Sequence, residues 1–170
     1  MAKNIIITGS PGTGKTTLIK RLARDLIPLV IKGFFKESIV EYNVCKGFRI
    51  ITLNYEEHIL AHINIEGPDR MNMYGVHIEG FENLISEELR IKPGIELFLI
   101  DEIGKMECMS TKFCLQLKKI FASDIPLIAT TSISHIPGER KFQEQNNIKL
   151  IRLTLQNRDS LWKNVLLELS

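Results

Sequence analysis

Residues 5 to 17 read Ile5-Ile6-Ile7-Thr8-Gly9-Ser10-Pro11-Gly12-Thr13-Gly14-Lys15-Thr16-Thr17, and the fold follows from this stretch. A short apolar run enters a loop of the form G-x-x-x-x-G-K-[ST] at Gly9 to Thr16, and a helical pattern leaves it. Such a loop suits a polyphosphate. Gly9, Gly12 and Gly14 let the backbone, with Ser10, Pro11 and Thr13 between them, wrap closely enough to converge several N–H donors on an anion, and Lys15 adds a cation. The helix opening at about Lys15 points its unpaired amides and the positive end of its dipole at the same place. Thr16 is the expected Mg²⁺ ligand, and Thr17 is near enough to reach an α-phosphate oxygen.

Outward from the loop, Lys3 to Thr8 reads as a buried strand. Thr16 to Leu26 reads as a helix with Leu18, Ile19, Leu22, Ala23 and Leu26 on one face, stopped by Pro28. β-rich pieces follow at Leu29 to Ile31, Phe34 to Val40, Phe48 to Leu53 and Ile59 to Ile65, punctuated by Gly33, Asn43, Gly47 and Asn54. They predict antiparallel hairpins inserted at about residues 33–65. Glu66 to Gly75 has no period and reads as a long loop, and Phe81 to Ile91 as a helix ended by Lys92-Pro93-Gly94. Ile95 to Ile100 is nearly all apolar, as a parallel strand covered on both faces would be. A helix at Ser110 to Ala122, a strand at Leu127 to Thr131, a short helix near Gly138 to Gln145, a strand at Ile148 to Leu155 and a helix at Ser160 to Leu169 complete the chain. Strands and helices alternating around a phosphate loop predict an α/β fold, a three-layer doubly wound and mostly parallel sheet with added hairpin strands, in one domain over residues 1–170.

Composition agrees. A chain of 170 residues, 44% hydrophobic and 25% charged, fits one globular domain. A net charge of +2 with acids and bases interspersed disfavours nucleic acid as a partner and a membrane as a surface. With no leader pattern and no apolar run near 18 residues, the expected location is cytoplasmic. Cys45, Cys108 and Cys114 form no C-x-x-C pair and read as reduced thiols. His58 and His62 stand in a strand-like setting rather than on a helix face, which argues against a metal site there.

Hydrolysis also needs a metal holder and a group that activates water. Asp101 ends the most apolar strand, where ligands of open α/β sheets bind, and Glu102 follows it. Asp101 can fix a magnesium-bound water; Glu102 can orient the attacking water or accept its proton. Such a pair belongs to the ATPase branch with an extra strand between the loop strand and the metal strand. Taken alone the pair reads first as an acidic strand end or an N-cap of the next helix; together with Lys15-Thr16 it reads as the metal and water half of the site. Lys105, Arg140, Arg152 and Arg158 are the candidate cations for charge developing on the γ-phosphoryl group, and Thr130, Thr131 and Ser132 could sense that group or cap the next element. No Asn-Lys-x-Asp sequence for reading guanine is present. The loop Gln156-Asn157-Arg158-Asp159 stands where a base is often covered, and Arg158 can stack on any base face.

With these residues in view, the chain resembles the small thermophile-type nucleoside-triphosphatases, also catalogued as predicted nucleotide kinases. The likeness spans nearly the whole length. It rests on Ile7 to Thr17, Gly33-Phe34-Phe35-Lys36-Glu37-Ser38, Tyr74 to Phe81, Ile100-Asp101-Glu102-Ile103-Gly104-Lys105-Met106-Glu107 and Asn157-Arg158-Asp159. The resemblance implies a RecA-like core and slow hydrolysis of ATP, GTP and other nucleoside triphosphates with little base selectivity. It places the nucleotide on Gly9 to Thr17 and on the segment from Ile100 through Ile103 and Gly104 to Lys105. The family usually has Thr-Glu-Glu or similar after Gly-Phe; here Lys36 takes a place where an acid could serve, and Glu37 retains one carboxylate.

Three readings follow: a Mg²⁺-dependent nucleoside-triphosphatase with Lys15 and Glu102 as catalytic residues, a kinase transferring the γ-phosphate to a nucleotide or small acceptor, and a nucleotide-switched binding module for a protein or RNA partner. The Asp101-Glu102 pair favours the first.

Overall fold

The computed structural model describes residues 3–132 and 147–169. Arg140 and the short helix expected near Gly138 to Gln145 lie outside the described residues. The chain runs β1 (Asn4–Thr8), α1 (Lys15–Asp25), β2 (Ile31–Glu41), β3 (Val44–Thr52), β4 (Glu57–His62), β5 (Arg70–Met71), β6 (Tyr74–Val76), α2 (Ile78–Glu88), β7 (Leu97–Asp101), a 3-10 turn (Glu107–Met109), α3 (Thr111–Ala122), β8 (Leu127–Thr131), β9 (Ile148–Arg152) and α4 (Leu161–Leu169).

The described strands join one sheet in the order β5-β6-β4-β3-β2-β7-β8-β1-β9. From β2 to β9 the pairings are parallel; from β2 outward through β3, β4, β6 and β5 they are antiparallel. β8 separates the loop strand β1 from the Asp101 strand β7, the order expected of a RecA-like core.

Period-2 alternation along the central strands builds the layers. Phe98 and Ile100 of β7 pack toward Phe81 and Ile85 of α2 and Phe113 and Leu117 of α3, while Leu97 and Leu99 face Leu18, Ile19 and Leu22 of α1 and Leu161 and Val165 of α4. β1 divides likewise, with Ile6 on one side and Ile5 and Ile7 on the other. On the first side Phe34, Phe81 and Phe113 contact one another, with ring centroids 5.3 to 6.2 Å apart. Ser110 caps α3, its hydroxyl accepting from Phe113 N at 3.1 Å. No helix among the described residues is long and apolar enough to cross a membrane.

Two differences from the sequence reading bear on the site. β2 is one continuous strand through Gly33, where a break was expected, because Gly33 adopts φ +139° against β7. A side chain there would place Cβ 1.7 Å from Leu99 O, so the glycine is what lets β2 lie against the Asp101 strand. Its amide donates to the buried Glu88 of α2 at 3.0 Å. Gly33→Ala is expected to cost on the order of 2 to 4 kcal/mol from backbone strain and overpacking, read as a drop in urea midpoint at unchanged m-value; an unaltered midpoint would contradict the close approach. The other difference lies in the expected loop Glu66 to Gly75, where β5 and β6 form a small hairpin around Asn72 (φ 54°).

Candidate active site

The phosphate loop leaves β1 and turns into α1 at Gly14, the N-cap residue, which adopts the left-handed φ of 103°. Lys15, only 8% exposed, folds back over the loop, and its Nζ donates to Gly9 O at 2.8 Å and Ser10 O at 3.2 Å. Thr13 Oγ1 also donates to Ser10 O, at 2.8 Å. The loop is thus braced around its own carbonyls, with α1's first turn directed across it.

Thr16 and Asp101, 85 residues apart, meet here: Thr16 Oγ1 donates to Asp101 Oδ2 at 2.5 Å. The hydroxyl of Thr130, on the intervening strand β8, donates to the other carboxylate oxygen. Asp101 is 2% exposed. Burial pushes its carboxyl above the usual carboxylate range, and the Thr130 and Thr16 hydroxyls oppose that. Hard oxygen donors converging on a buried carboxylate are the donor set that suits Mg²⁺.

A cleft of about 420 Å³ opens over these groups, lined by the loop, Thr16, Thr17, Asp101, Glu102, Lys36, Ser38 and Phe48. The last three were not singled out for the nucleotide site by sequence reasoning. Lys36 and Ser38 arrive because β2 pairs with β7 in parallel, Phe35 opposite Asp101, which carries Lys36 alongside Glu102, and Phe48 because β3 pairs with β2, opposite Ser38. Lys36 Nζ donates to Glu102 Oε1 at 2.8 Å and stands 2.6 Å from Glu107 Oε1. Glu107 is fully buried on the 3-10 turn. Burial alone would lower the pKa of the Lys36 ammonium, but the Glu107 and Glu102 carboxylates outweigh it and hold it above its ordinary value. Burial pushes Glu107 up, against the pull of Lys36.

A second chamber of about 280 Å³ adjoins the cleft and shares Lys36, Phe48 and Glu102 with it. Met71, Asn72, Tyr74, Gly104, Lys105 and Met106 supply most of its remaining wall.

Several expected residues lie elsewhere. Ile100 is fully buried in the core between sheet and helices, so its side chain is corrected from a nucleotide contact to a packing residue. Ile103 packs partly against the same core, and its backbone is held by Thr130 O and Thr131 Oγ1. Gly104 and Lys105 line the second chamber rather than the phosphate cleft. Arg158 is not among the residues lining the cleft; its side chain stands exposed in the turn before α4, 3.9 Å from Asp159. Arg152 ends β9 opposite Thr8. Thr130 and Thr131, weighed as phosphate sensors, are buried and bonded to Asp101 and Ile103. Glu37 turns to the other face of β2, where Lys20 and Arg49 hold it as an ion pair and keep its carboxyl below the usual range. His58 stands with its ring 5.1 Å from that of His77, and burial lowers its pKa.

Comparison with known proteins agrees with this geometry. The model of a family described as NTPase matches residues 4–166. The chain belongs to that NTPase family. It is 40% identical over 163 residues to the nucleoside-triphosphatase THEP1 of Thermotoga maritima, covering 95% of this chain and 92% of that protein. It is 37% identical over 166 residues to THEP1 of Methanocaldococcus jannaschii, covering 95% and 94%. The crystal structure of THEP1 from Aquifex aeolicus superposes with a TM-score of 0.81 at 30% identity, covering 98% of this chain and 99% of that one. The solution structure of a human cancer-related nucleoside triphosphatase gives the same TM-score at 26% identity, covering 99% and 98%. The resemblance seen in the sequence is borne out, as is the RecA-like α/β fold. A member of the NTPase family is an enzyme of the nucleoside-triphosphatase class.

Proposed function

We propose that the chain hydrolyses nucleoside 5'-triphosphates, ATP and GTP among them with little base selectivity, to the diphosphate and phosphate, with Mg²⁺ bound alongside the substrate. The observation that carries this reading is the meeting of Thr16 with Asp101 at the floor of the cleft, with Glu102 next along the same wall. Amides from Gly9 to Thr16, together with Lys15, grip the β- and γ-phosphates. Thr16 and Asp101 would hold the Mg²⁺, which when bound neutralises charge on the phosphate oxygens. Glu102 orients a water in line with the γ-phosphoryl group and takes its proton. The lining is directed at phosphate and metal, which accounts for the low selectivity among bases.

Phosphate release from ATP, GTP, CTP and UTP, each measured with Mg²⁺ and with a chelator, tests the proposal. Turnover of all four within roughly tenfold, lost on chelation, is expected. Metal-independent release would remove Thr16 and Asp101 from their roles.

One observation favours a second reading, transfer of the γ-phosphate to a small acceptor. The 280 Å³ chamber shares Glu102 with the cleft and is lined by Phe48 and Tyr74, whose rings meet edge to face at 5.3 Å. Mass analysis of products formed with candidate acceptors separates the two, since a phosphorylated acceptor appearing faster than free phosphate would favour transfer.

A further inference from the structure

Phosphoryl transfer concentrates negative charge on the γ-oxygens, and phosphate-loop enzymes commonly meet it with a cation beyond the loop lysine. Of the candidates raised by the sequence, those among the described residues do not line the cleft. Lys105 lines the neighbouring chamber, and neither Arg152 nor Arg158 is among the residues lining the cleft. Among the described residues that line it, the cations are Lys15 and Lys36.

We propose that Lys36 contacts the γ-phosphoryl group and balances its charge, anchored from behind by the buried carboxylate of Glu107. This deepens the hydrolytic reading given above and rests on it. An ammonium has three N–H donors. One reaches Glu102 Oε1 at 2.8 Å, a second side faces Glu107 at 2.6 Å, and the side chain also forms part of the cleft wall beside Thr16 and Asp101. Glu107 cannot follow the ammonium outward, because it is fully enclosed by the 3-10 turn and the core. It therefore pins the lysine head at the cleft. A γ-phosphoryl oxygen arriving there offers Lys36 a charged acceptor in place of Glu102 Oε1, so the number of charge-assisted contacts is conserved. The exchange frees Glu102 when substrate is in place. In the step that follows, the water oxygen forms the new bond to phosphorus and the bond to the β–γ bridging oxygen breaks. Its electron pair leaves with the diphosphate, Glu102 takes the water proton, and Lys36 keeps its own three protons throughout.

The test compares the binding of MgADP alone with that of MgADP plus aluminium fluoride, which stands in for the transferring phosphoryl group. Lys36→Met is expected to keep ADP affinity within about threefold and to lose roughly 10²-fold for the fluoride complex, with Lys36→Arg recovering part of the loss. Because Lys36→Met leaves Glu107 buried without a countercharge, the same titrations are run on the double variant Lys36→Met, Glu107→Gln, where the selective loss should persist. Unchanged affinity of the double variant for the fluoride complex overturns the proposal, and so does an equal loss for ADP alone. Phosphate release by the unaltered chain is measured in the same preparation. A chain that binds the fluoride complex through Lys36 yet releases no phosphate keeps this inference and removes the hydrolytic reading.

Discussion

Glu102→Gln is expected to lower phosphate release by about 10² to 10⁴ while nucleotide affinity stays near that of the unaltered chain. The two halves of this expectation come from different atoms. In the proposed mechanism nucleotide is held by the loop amides, Lys15 and Thr16, whereas Glu102 accepts the water proton. Glutamine keeps the shape of the side chain and an oxygen able to accept from Lys36, so the 2.8 Å contact survives in form, and the change is confined to basicity and charge. Single-turnover hydrolysis alongside equilibrium titration of a labelled nucleotide reads both quantities. Near-normal release from this variant would sink the assignment of Glu102, and a matching loss of affinity would recast it as a binding residue.

The second large effect is on stability. Lys36→Met strips the countercharge from Glu107, a carboxylate with no exposed surface that faces the Lys36 ammonium at 2.6 Å. Breaking a buried pair in this way costs about 3 to 5 kcal/mol, far more than the surface pairs of this protein, such as Arg90 with Glu87, would on removal. Adding Glu107→Gln should restore most of the loss, since a neutral amide no longer needs the ammonium. The sign of the pH dependence follows from burial. Burial already raises Glu107 above its ordinary value and Lys36 opposes that rise, so without Lys36 the folded-state pKa climbs further. A carboxyl raised in the folded state binds more protons folded than unfolded, so its unfavourable effect is absent at low pH and grows as pH rises through the folded value. The deficit of Lys36→Met against the unaltered chain should accordingly be larger at pH 8 than at pH 5, measured by urea unfolding. An equal deficit at both would show that Glu107 is neutral in the unaltered protein.

Motif and period made the phosphate-binding half of the site legible. The loop, Lys15, Thr16, Asp101 and Glu102 lie in local patterns whose spacing alone reveals them, and the apolar runs at Ile5 to Ile7 and Ile95 to Ile100 identify the strands that bring them together. Lys36, Ser38 and Phe48 were not legible as cleft residues, because they reach the cleft only through the lateral pairing of β2 with β7 and β3, and periodicity within a strand carries no record of its neighbour. Glu107 hid for another reason. A glutamate six residues past the end of β7 reads as a solvated charge, and only the 3-10 turn reveals that it is enclosed. The unbroken course of β2 was missed because glycine usually punctuates a strand, whereas Gly33 serves a close approach to Leu99.

The sheet order also bears on how the chain reaches its native state. β2, β3 and β4 pair with sequence neighbours across tight turns at Tyr42-Asn43 and Tyr55, so this half closes short loops and can form early. β1 is different: its partners are β8 and β9, with Asn4 opposite Leu127 and Ile148. During synthesis the strand that carries the phosphate loop emerges long before its partners β8 and β9 and is among the last to be paired. Competence to bind nucleotide should therefore arise late and together with completion of the sheet, which makes nucleotide a ligand that reports on, and draws forward, the final stage of folding.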